Sequence, residues 1–242
     1  MNLAEQLQHQ YYTENANRYD NLYLGAVEHA VALRYMVGLC RQLQVKSILD
    51  IGSGTGRAVR FFLESGFDAY GVEPVEALTE QAITKHGIPP ERLRSGKGES
   101  LPFGDASFDV VCETGVLHHV SDPAAVVREM TRIARQAIFL SDENRFGSGG
   151  LLGKLFHIML YKVGLWRPYY WLRTGGRGYT DSLEDGIRYS YSVYESLPQL
   201  VDWADRLWIV PTKGRKSASW LGPLLSASHA LVCAVREPAG TC

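Results

Sequence analysis

Two acidic residues flank a glycine-rich stretch early in the 242-residue chain. Gly52, Gly54 and Gly56 follow an apolar run that contains Asp50, and Glu73 stands seventeen residues after Gly56. Glycines at this spacing let the backbone turn sharply and approach a ligand within contact distance. An acid at about the distance of Glu73 can accept hydrogen bonds from ribose hydroxyls. The pattern therefore predicts a site for a nucleotide-type ligand.

The spacing of the glycines narrows the choice of ligand. A dinucleotide fingerprint reads G-x-G-x-x-G, whereas this loop reads G-x-G-x-G and has Arg57 where the third fingerprint glycine would stand. Asp50 would repel a pyrophosphate but would suit a ligand that carries an ammonium group. A dinucleotide-dependent oxidoreductase is therefore a disfavoured alternative, and an ordinary glycine-rich turn after a core strand is the simplest one.

Alternating apolar and helical patterns surround this loop. The run at 47–51 predicts a buried parallel strand, and a helical pattern begins after residue 56. Further strands are predicted at 69–74, in a unit that starts at 93, and at 108–113, 137–144, 207–211 and 230–235. Helices are predicted at 26–43, 75–86, 124–134 and 197–203. Such alternation is typical of an α/β fold, in which strand ends point their loops at the ligand.

Two motifs resemble a known family. The segment Asp50-Ile51-Gly52-Ser53-Gly54-Thr55-Gly56 resembles the first motif of class I S-adenosylmethionine-dependent methyltransferases. The segment Leu117-His118-His119-Val120-Ser121-Asp122-Pro123 is similar to the small-molecule branch of that family, the methyltransferase-11/25-like group. The resemblance implies a Rossmann-like, doubly wound, seven-stranded sheet that is mostly parallel with an antiparallel last strand and has helices on both faces. It also implies the cofactor S-adenosyl-L-methionine.

The resemblance assigns cofactor contacts to particular positions. Asp50 would neutralise the ammonium or orient it through water, and Glu73 would hold the ribose. The cofactor residues predicted in this way are Asp50, Gly52, Ser53, Gly54, Gly56, Glu73, Pro74, Gly98, Glu99, Ser100, Glu113, Thr114, Tyr11 and Tyr19. Many relatives have an acid where Lys97 stands, and lysine cannot accept a hydrogen bond. The adenine is therefore expected to contact the backbone of Gly98 and Glu99 and apolar side chains.

The candidates for proton transfer lie after the fourth and fifth predicted strands. Methyl transfer from a sulfonium is an in-line displacement, so the protein mainly aligns the reacting atoms. A hydroxyl acceptor also needs a base, and the candidates are His119, Asp142, His118 and Asn144, with Asp142 or His119 preferred. A packed structural histidine is the alternative for each of the two histidines. No metal is expected, because no cysteine or histidine cluster has metal-ligand spacing.

Residues 145–190 are expected to form an insertion in a single domain that spans 1–242, with 1–25 as an N-terminal lid or cap. Leu152, Leu155, Phe156, Met159 and Val163 fall on one helical face, followed by Trp166, Tyr169, Tyr170 and Trp171. The alternatives are an extra core helix, a substrate lid, the face of a homodimer, or a membrane-surface contact through 151–172. Glycine hinges favour the lid. The segment 187–194 is expected to be an accessory strand or part of the pocket wall.

Bulk composition limits the partners. The net charge is −1 and no basic stripe occurs, so a nucleic-acid partner is not expected. No apolar window reaches the ~20 residues of a membrane-spanning helix, and no signal peptide is apparent, so a cytoplasmic protein is expected. Three cysteines are expected to be reduced core thiols, and Cys242 is terminal.

The expected function is methyl transfer to oxygen, nitrogen or carbon of a small-molecule acceptor, such as a natural product or a sugar, in a biosynthetic reaction. The aromatic insertion suggests an acceptor that has an apolar or ring surface. The alternative is a degenerate fold of this class that binds the cofactor or a partner without chemistry. Lys97, at a position where relatives have an acid, keeps that alternative open.

Overall fold

The computed structural model describes residues 2–22, 27–182, 185–214 and 222–237, with Leu22 described through its backbone alone. Tyr23 of the predicted lid, the segment Trp220-Leu221 before the last strand, and Cys242 lie outside these residues. Cys40, Cys112 and Cys233 are free and buried, as expected of core thiols.

A seven-stranded sheet forms the centre of the molecule, with the strand order β3-β2-β1-β4-β5-β9-β8. Its strands are β1 (Ser47–Ile51), β2 (Asp68–Glu73), β3 (Leu93–Ser95), β4 (Phe108–Thr114), β5 (Ala134–Glu143), β8 (Arg206–Gly214) and β9 (Ala227–Val235). Strands β1 to β5 pair in parallel, and β9 is antiparallel to both β5 and β8. The predicted fold class is confirmed, including the antiparallel last strand.

Helices cover both faces of this sheet. They are α1 (Leu3–Asn15), α2 (Tyr19–Leu22), α3 (Val27–Gln42), α4 (Arg57–Glu64), α5 (Glu76–Thr84), α6 (Pro123–Ile133), α7 (Leu151–Lys162), α8 (Trp166–Arg173), α9 (Leu197–Trp203) and α10 (Gly222–Ser226). Neighbouring residues of β1 point to opposite faces, so Ile48 joins the core cluster under α3 and α4, whereas Leu49 joins the cluster under α6 and α9. This alternation explains why the strand is apolar throughout.

The parallel strands bring their carboxyl ends to one edge of the sheet. β1, β2, β4 and β5 end at Ile51, Glu73, Thr114 and Glu143, respectively. The loop after β1 turns through left-handed glycines, and Gly56 has φ of 77°. A Cβ at Gly56 would lie 2.2 Å from Cδ1 of Ile88, so both conformation and space require glycine there.

The insertion forms a helical hairpin and a small ribbon. Helices α7 and α8 are followed by strands β6 (Tyr179–Ser182) and β7 (Gly186–Tyr189), which pair antiparallel in a separate two-stranded sheet. The accessory strand expected at 187–194 therefore ends at Tyr189, and a short 3-10 turn follows at 193–195. Within the described ranges, no helix has both the length and the apolar character needed to cross a bilayer.

Candidate functional site

A cavity opens at the carboxyl edge of the sheet, between the ends of β1, β2 and β4 and the N-terminal helix α1. The predicted cofactor residues that line it are Gly52, Gly54, Glu73, Pro74, Gly98, Glu99, Thr114 and Tyr19. They come from separate segments of the chain that the parallel strands bring to one edge. We refer to this cavity as the cofactor cavity.

Glu73 is held firmly at the end of β2. Its Oε2 accepts a hydrogen bond of 2.8 Å from the backbone N–H of Gly54, and its Oε1 accepts one of 3.0 Å from Val75. The side chain is buried, and burial raises its pKa to about 7, although the two backbone donors favour the charged form. A carboxylate held between the glycine loop and the cavity can accept hydrogen bonds from vicinal hydroxyls of a ligand.

Other predicted cofactor residues form the cavity's supports rather than its lining. Asp50 is buried beneath the glycine loop, where its Oδ1 lies 3.8 Å from Sγ of Cys112. Burial raises the pKa of this carboxyl to about 8. Glu113 is fully buried, and its Oε2 accepts a hydrogen bond of 2.9 Å from the backbone of Val116 in the loop after β4. Both acids therefore lie behind the loops that form the cavity wall.

Three more predicted residues, Ser53, Gly56 and Ser100, also lie outside the lining. Ser53 faces β2, where its Oγ fills the space that a Cβ at Gly71 would need. Tyr11, predicted from the N-terminal segment, packs instead against Gly186 of the ribbon. Tyr11 thus joins α1 to the insertion.

Helix α1 supplies lining residues that were not among the predicted cofactor contacts. Glu5, Gln8 and Tyr12 line the cofactor cavity, and the Tyr12 ring meets the rings of Tyr19 and His119 edge-on, at centroid distances of 5.7 and 5.8 Å. The spacing of residues 5, 8 and 12 places them on one helical face, a signal that could have revealed them.

Lys97 has a partner on α1. Its Nζ lies 2.6 Å from Oε2 of Glu5, and this hydrogen bond is the main reason why the pKa of Glu5 is lowered. Lys97 lines the cofactor cavity together with Gly98 and Glu99. The lysine therefore joins α1 to the loop after β3.

A histidine–carboxylate cluster lies beside the cofactor cavity. Nδ1 of His118 is 2.6 Å from Oδ1 of Asp142, and its Nε2 is 3.3 Å from Oδ2 of Asp185. Burial favours the neutral ring, but the two carboxylates outweigh burial and raise the pKa of His118 to about 9. His118 is therefore charged near neutral pH, and its two N–H groups donate to the two acids.

His119 is the member of this cluster that lines the cofactor cavity. Its Nδ1 lies 2.7 Å from the carbonyl oxygen of Ile187, so Nδ1 carries the proton and Nε2 holds the lone pair of the neutral ring. Burial and the charge of His118 lower the pKa of His119. Its Nε2 lies 3.3 Å from Oδ1 of Asp185, which can stabilise the ring once it is protonated.

Asp185 belongs to the turn between β6 and β7 and was missed by the sequence analysis. The dipeptide Asp185-Gly186 between two short alternating segments is a hairpin-turn signal that could have placed it. Oδ2 of Asp185 lies 3.5 Å from Nε of Arg188, which also forms an ion pair with Glu143. The ribbon thus brings a carboxylate from the insertion to two histidines that follow β4.

The same three side chains could hold a cation. Ligand atoms of His118, His119 and Asp185 all lie within 4.8 Å of one another, and two histidines with one carboxylate form a known donor set for divalent metals. The sequence analysis expected no metal because these ligands do not have motif spacing in the chain; the fold brings them together.

A second, larger cavity lies under the insertion, with a volume of about 690 Å³. Glu143, Trp166, Tyr170, Arg173 and Arg188 are among the residues that line it. It therefore combines aromatic rings with charged hydrogen-bonding groups. We refer to it as the acceptor cavity, after the role that we propose for it below.

Arg145 and Asn144 stabilise the wall of this cavity. The Arg145 guanidinium lies 4.6 Å from the centroid of the Trp166 ring and forms an ion pair with Glu195. Asn144 donates to the carbonyl of Ala227 at 2.8 Å and accepts from Oγ of Ser192 at 3.0 Å. The polar atoms of Asn144, one of the candidates for proton transfer, are thus engaged in positioning the segment after β5.

Comparisons with known proteins agree with this architecture. Residues 49–139 match the family model described as a methyltransferase domain. YcgJ of Bacillus subtilis, an uncharacterized methyltransferase, is 30% identical over 128 residues, which span 52% of this chain and 50% of YcgJ. A relative from Mycobacterium sp. (strain JLS), also an uncharacterized methyltransferase, is 36% identical over 92 residues, which span 37% of this chain and 35% of the relative. The chain therefore spans half or less of the length of these curated relatives.

Solved structures share the fold over nearly the whole chain. A SAM-dependent methyltransferase of Thermotoga maritima has a TM-score of 0.57 at 18% identity and covers 94% of this chain and 99% of its own. Magnesium protoporphyrin IX methyltransferase (ChlM) of Synechocystis PCC 6803 was solved with bound SAH. It has a TM-score of 0.60 at 15% identity, and the match covers 96% of this chain and 100% of ChlM. Residues 49–139 therefore match a methyltransferase domain, and the described chain shares the fold of solved S-adenosylmethionine-dependent methyltransferases.

Proposed function

We propose that this protein is an enzyme that transfers a methyl group from S-adenosylmethionine to a hydroxyl oxygen of a small organic acceptor, such as a sugar or a hydroxylated natural product. The observation that carries this proposal is the cluster of His118, His119, Asp142 and Asp185 beside the cofactor cavity. An alcohol must lose its proton during methylation, whereas a neutral amine needs less help. A buried base with paired carboxylates therefore favours an oxygen acceptor.

The cofactor cavity fits the proposed cofactor. Gly54 lets the backbone approach the ligand, and Glu73 presents its carboxylate to the cavity from the end of β2. Tyr12 and Tyr19 supply aromatic surface in the same lining. The cofactor, when bound, supplies an electrophilic methyl group on a positively charged sulfur. The predicted contacts Gly52, Pro74, Gly98, Glu99 and Thr114 belong to the same lining.

We assign the role of base to His119. Its Nδ1–H is held by the carbonyl of Ile187, so Nε2 is available to accept the proton of the acceptor hydroxyl. The new bond joins the acceptor oxygen to the methyl carbon, the sulfur–methyl bond breaks, and the proton remains on Nε2. Asp185, at 3.3 Å, then stabilises the imidazolium. Asp142 and His118 are positioning residues, because their hydrogen bond orients the turn that contains His119.

The acceptor cavity supports a ring-bearing acceptor that has hydroxyl groups. Trp166 and Tyr170 stack at 6.0 Å with an interplanar angle of 19°, and Arg173 and Arg188 contribute hydrogen-bond donors nearby. Aromatic faces combined with a few charged donors suit the apolar faces and hydroxyl edges of sugars and related ring compounds. In this proposal, residues 145–190 cover the acceptor and residues 1–25 cover the cofactor within one domain.

The proposal is tested by Asp185→Asn and His119→Ala with radiolabelled S-adenosylmethionine and pools of hydroxylated acceptors. We expect His119→Ala to lower kcat by about 10²- to 10⁴-fold, the usual effect of removing a general base. Asp185→Asn should lower kcat by a smaller factor and leave the Kd of the demethylated cofactor within about twofold, because Asp185 is not part of the cofactor cavity lining. Asp181→Asn, an exposed acid of the same ribbon, is the matched control and should be silent.

Two outcomes would contradict the assignment of the base. If both variants turned over at the wild-type rate at saturating acceptor, the histidine–carboxylate cluster would have no role in the reaction. If a chelator abolished wild-type turnover and a divalent cation restored it, we would conclude that His118, His119 and Asp185 bind a metal ion instead.

A deletion tests the role of the insertion. Removing residues 150–175 should abolish acceptor binding and leave cofactor binding measurable, because the cofactor cavity contains no residue of this segment. Acceptor affinity that is unchanged by the deletion would refute the role of the insertion as a lid.

A further inference from the structure

Helices α7 and α8 expose an apolar surface that the rest of the fold does not cover. It includes Leu152, Leu155, Phe156, Met159, Trp171 and Leu172, and we refer to these residues as the hairpin surface. Leu152 and Leu172 are 84% and 70% exposed, values that are unusual for leucines on regular helices. An exposed patch of this kind is typical of a site that binds another molecule or a membrane.

The inner side of the hairpin combines buried apolar side chains with polar contacts. The buried residues of α7 are Lys154 and Leu160, and Nζ of Lys154 donates to the carbonyl of Leu225 at 2.6 Å. Trp166 is the buried residue of α8, and its indole N–H donates to Oγ of Ser190 at 3.1 Å. The hairpin is therefore anchored through these contacts, and its larger apolar face is left for an external partner.

The charge of the insertion is strongly biased. Residues 145–180 contain six lysines and arginines and no aspartate or glutamate, although the whole chain has a net charge of −1. Lys162 and Arg167, which flank the turn between the two helices, are exposed, and neither forms an ion pair within the described part of the chain. Apolar side chains with unpaired cations beside them are the signature of helices that lie on an anionic membrane surface.

We propose that the hairpin surface binds the surface of an anionic lipid bilayer. The leucines, Phe156 and Trp171 would enter the boundary between headgroups and acyl chains, and Lys162 and Arg167 would contact lipid phosphates. Each cation near such a surface strengthens binding, and salt weakens the contribution of charge. The two helices have 12 and 8 residues, lengths that suit helices lying in the plane of the interface.

Charge complementarity favours lipid over a second copy of this chain. A two-fold contact brings the same patch of both copies together. Lys162 and Arg167 of one copy would then face the cations of the other, and the segment 145–180 has no acid to separate them. An anionic bilayer supplies the opposite charge over the whole patch.

Vesicle flotation tests the proposal with the full chain. We expect binding to vesicles of phosphatidylcholine mixed with phosphatidylglycerol, little binding to pure phosphatidylcholine, and weaker binding as salt is raised. The double variants Lys162→Glu/Arg167→Glu and Leu152→Ser/Leu172→Ser should each weaken binding by about tenfold or more. The matched controls are Arg34→Glu and Val201→Ser, exposed residues of α3 and α9, and both should bind like the wild type.

The same experiment can overturn the proposal. Absence of binding to anionic vesicles, or equal loss in the control variants, would exclude the hairpin as a membrane contact. Sedimentation that shows a dimer of the wild type and monomers of both hairpin variants would assign the surface to a second copy instead. Thermal unfolding of each variant verifies that it folds, because these side chains are exposed and their replacement should leave Tm unchanged.

Discussion

Helices α6 and α7 have similar lengths of 11 and 12 residues, yet they relate to the interior in opposite ways. α6 buries Val126, Val127, Met130 and Ile133 against the sheet. α7 buries a lysine and a single leucine and turns most of its apolar side chains to the outside. Apolar spacing thus predicted both helices, whereas the neighbours of each helix decide which face becomes core.

The two cavities also differ in the segments of the chain that build them. The cofactor cavity is built from the ends of central strands, their first loops and the N-terminal helix α1. The acceptor cavity is built largely from the insertion after β5, together with residues of β5 and β9.

The largest expected effect of this contrast is on stability. Met130→Ala in α6 should lower the free energy of unfolding by about 2–5 kcal/mol, because it removes a fully buried side chain and leaves a cavity. Leu152→Ala in α7 should change it by no more than about 0.5 kcal/mol, because this side chain is mostly exposed. Urea denaturation measures both, and similar losses in the two variants would show that α7 packs against the protein after all.

A second comparison uses two glutamates that end different strands of the sheet, Glu73 at the end of β2 and Glu143 at the end of β5. Glu73→Gln should weaken binding of the demethylated cofactor by roughly 10- to 100-fold, because a charge-assisted hydrogen bond contributes about 1.5–3 kcal/mol. Glu143→Gln, at the end of β5 in the acceptor cavity, should leave the cofactor Kd within about twofold. Isothermal calorimetry decides this, and equal losses would mean that the two cavities are not functionally separate.

A smaller effect concerns pH. Burial raises the pKa of Glu73 to about 7, and the proposed ribose contact requires the charged form. Cofactor affinity should therefore be full above this pKa and fall as pH decreases through it, by about tenfold between pH 8 and pH 6. Glu73→Gln should flatten this slope, and calorimetry over the pH range measures it. An affinity that rises as pH decreases would reverse the assigned sign and contradict the ribose contact.

The predicted site residues that line the cofactor cavity have local signals in the sequence. The glycine loop is contiguous in the chain, and Glu73 ends the next strand, so strand patterning was sufficient to place both at the same edge. His119 follows β4 directly and lines the cavity for the same reason. Asp50 was expected beside the ligand, whereas the structure has it behind the loop, because the pleat of β1 directs its side chain toward Cys112.

Other parts of the site depend on contacts that are distant in sequence. Asp185 meets His118 across 67 positions, and Gln8 meets His119 across 111. The periodicity of apolar residues cannot predict contacts between residues so far apart in the chain. Each of the two segments could keep its local pattern whether or not it contacted the other. Lys97 likewise pairs with Glu5, which is 92 positions away in the chain. This contact depends on the packing of α1 against the loop after β3.

The sequence by itself determined the fold class and predicted a ligand cavity at the carboxyl edge of the sheet, because a parallel α/β sheet collects its strand ends at one edge and a glycine loop marks that edge. Only the tertiary structure decided which acid stands beside His119 and which face of α7 is covered. Both answers depend on how the insertion packs against β5 and α1, and packing between distant segments follows from shape and charge that a one-dimensional pattern does not contain.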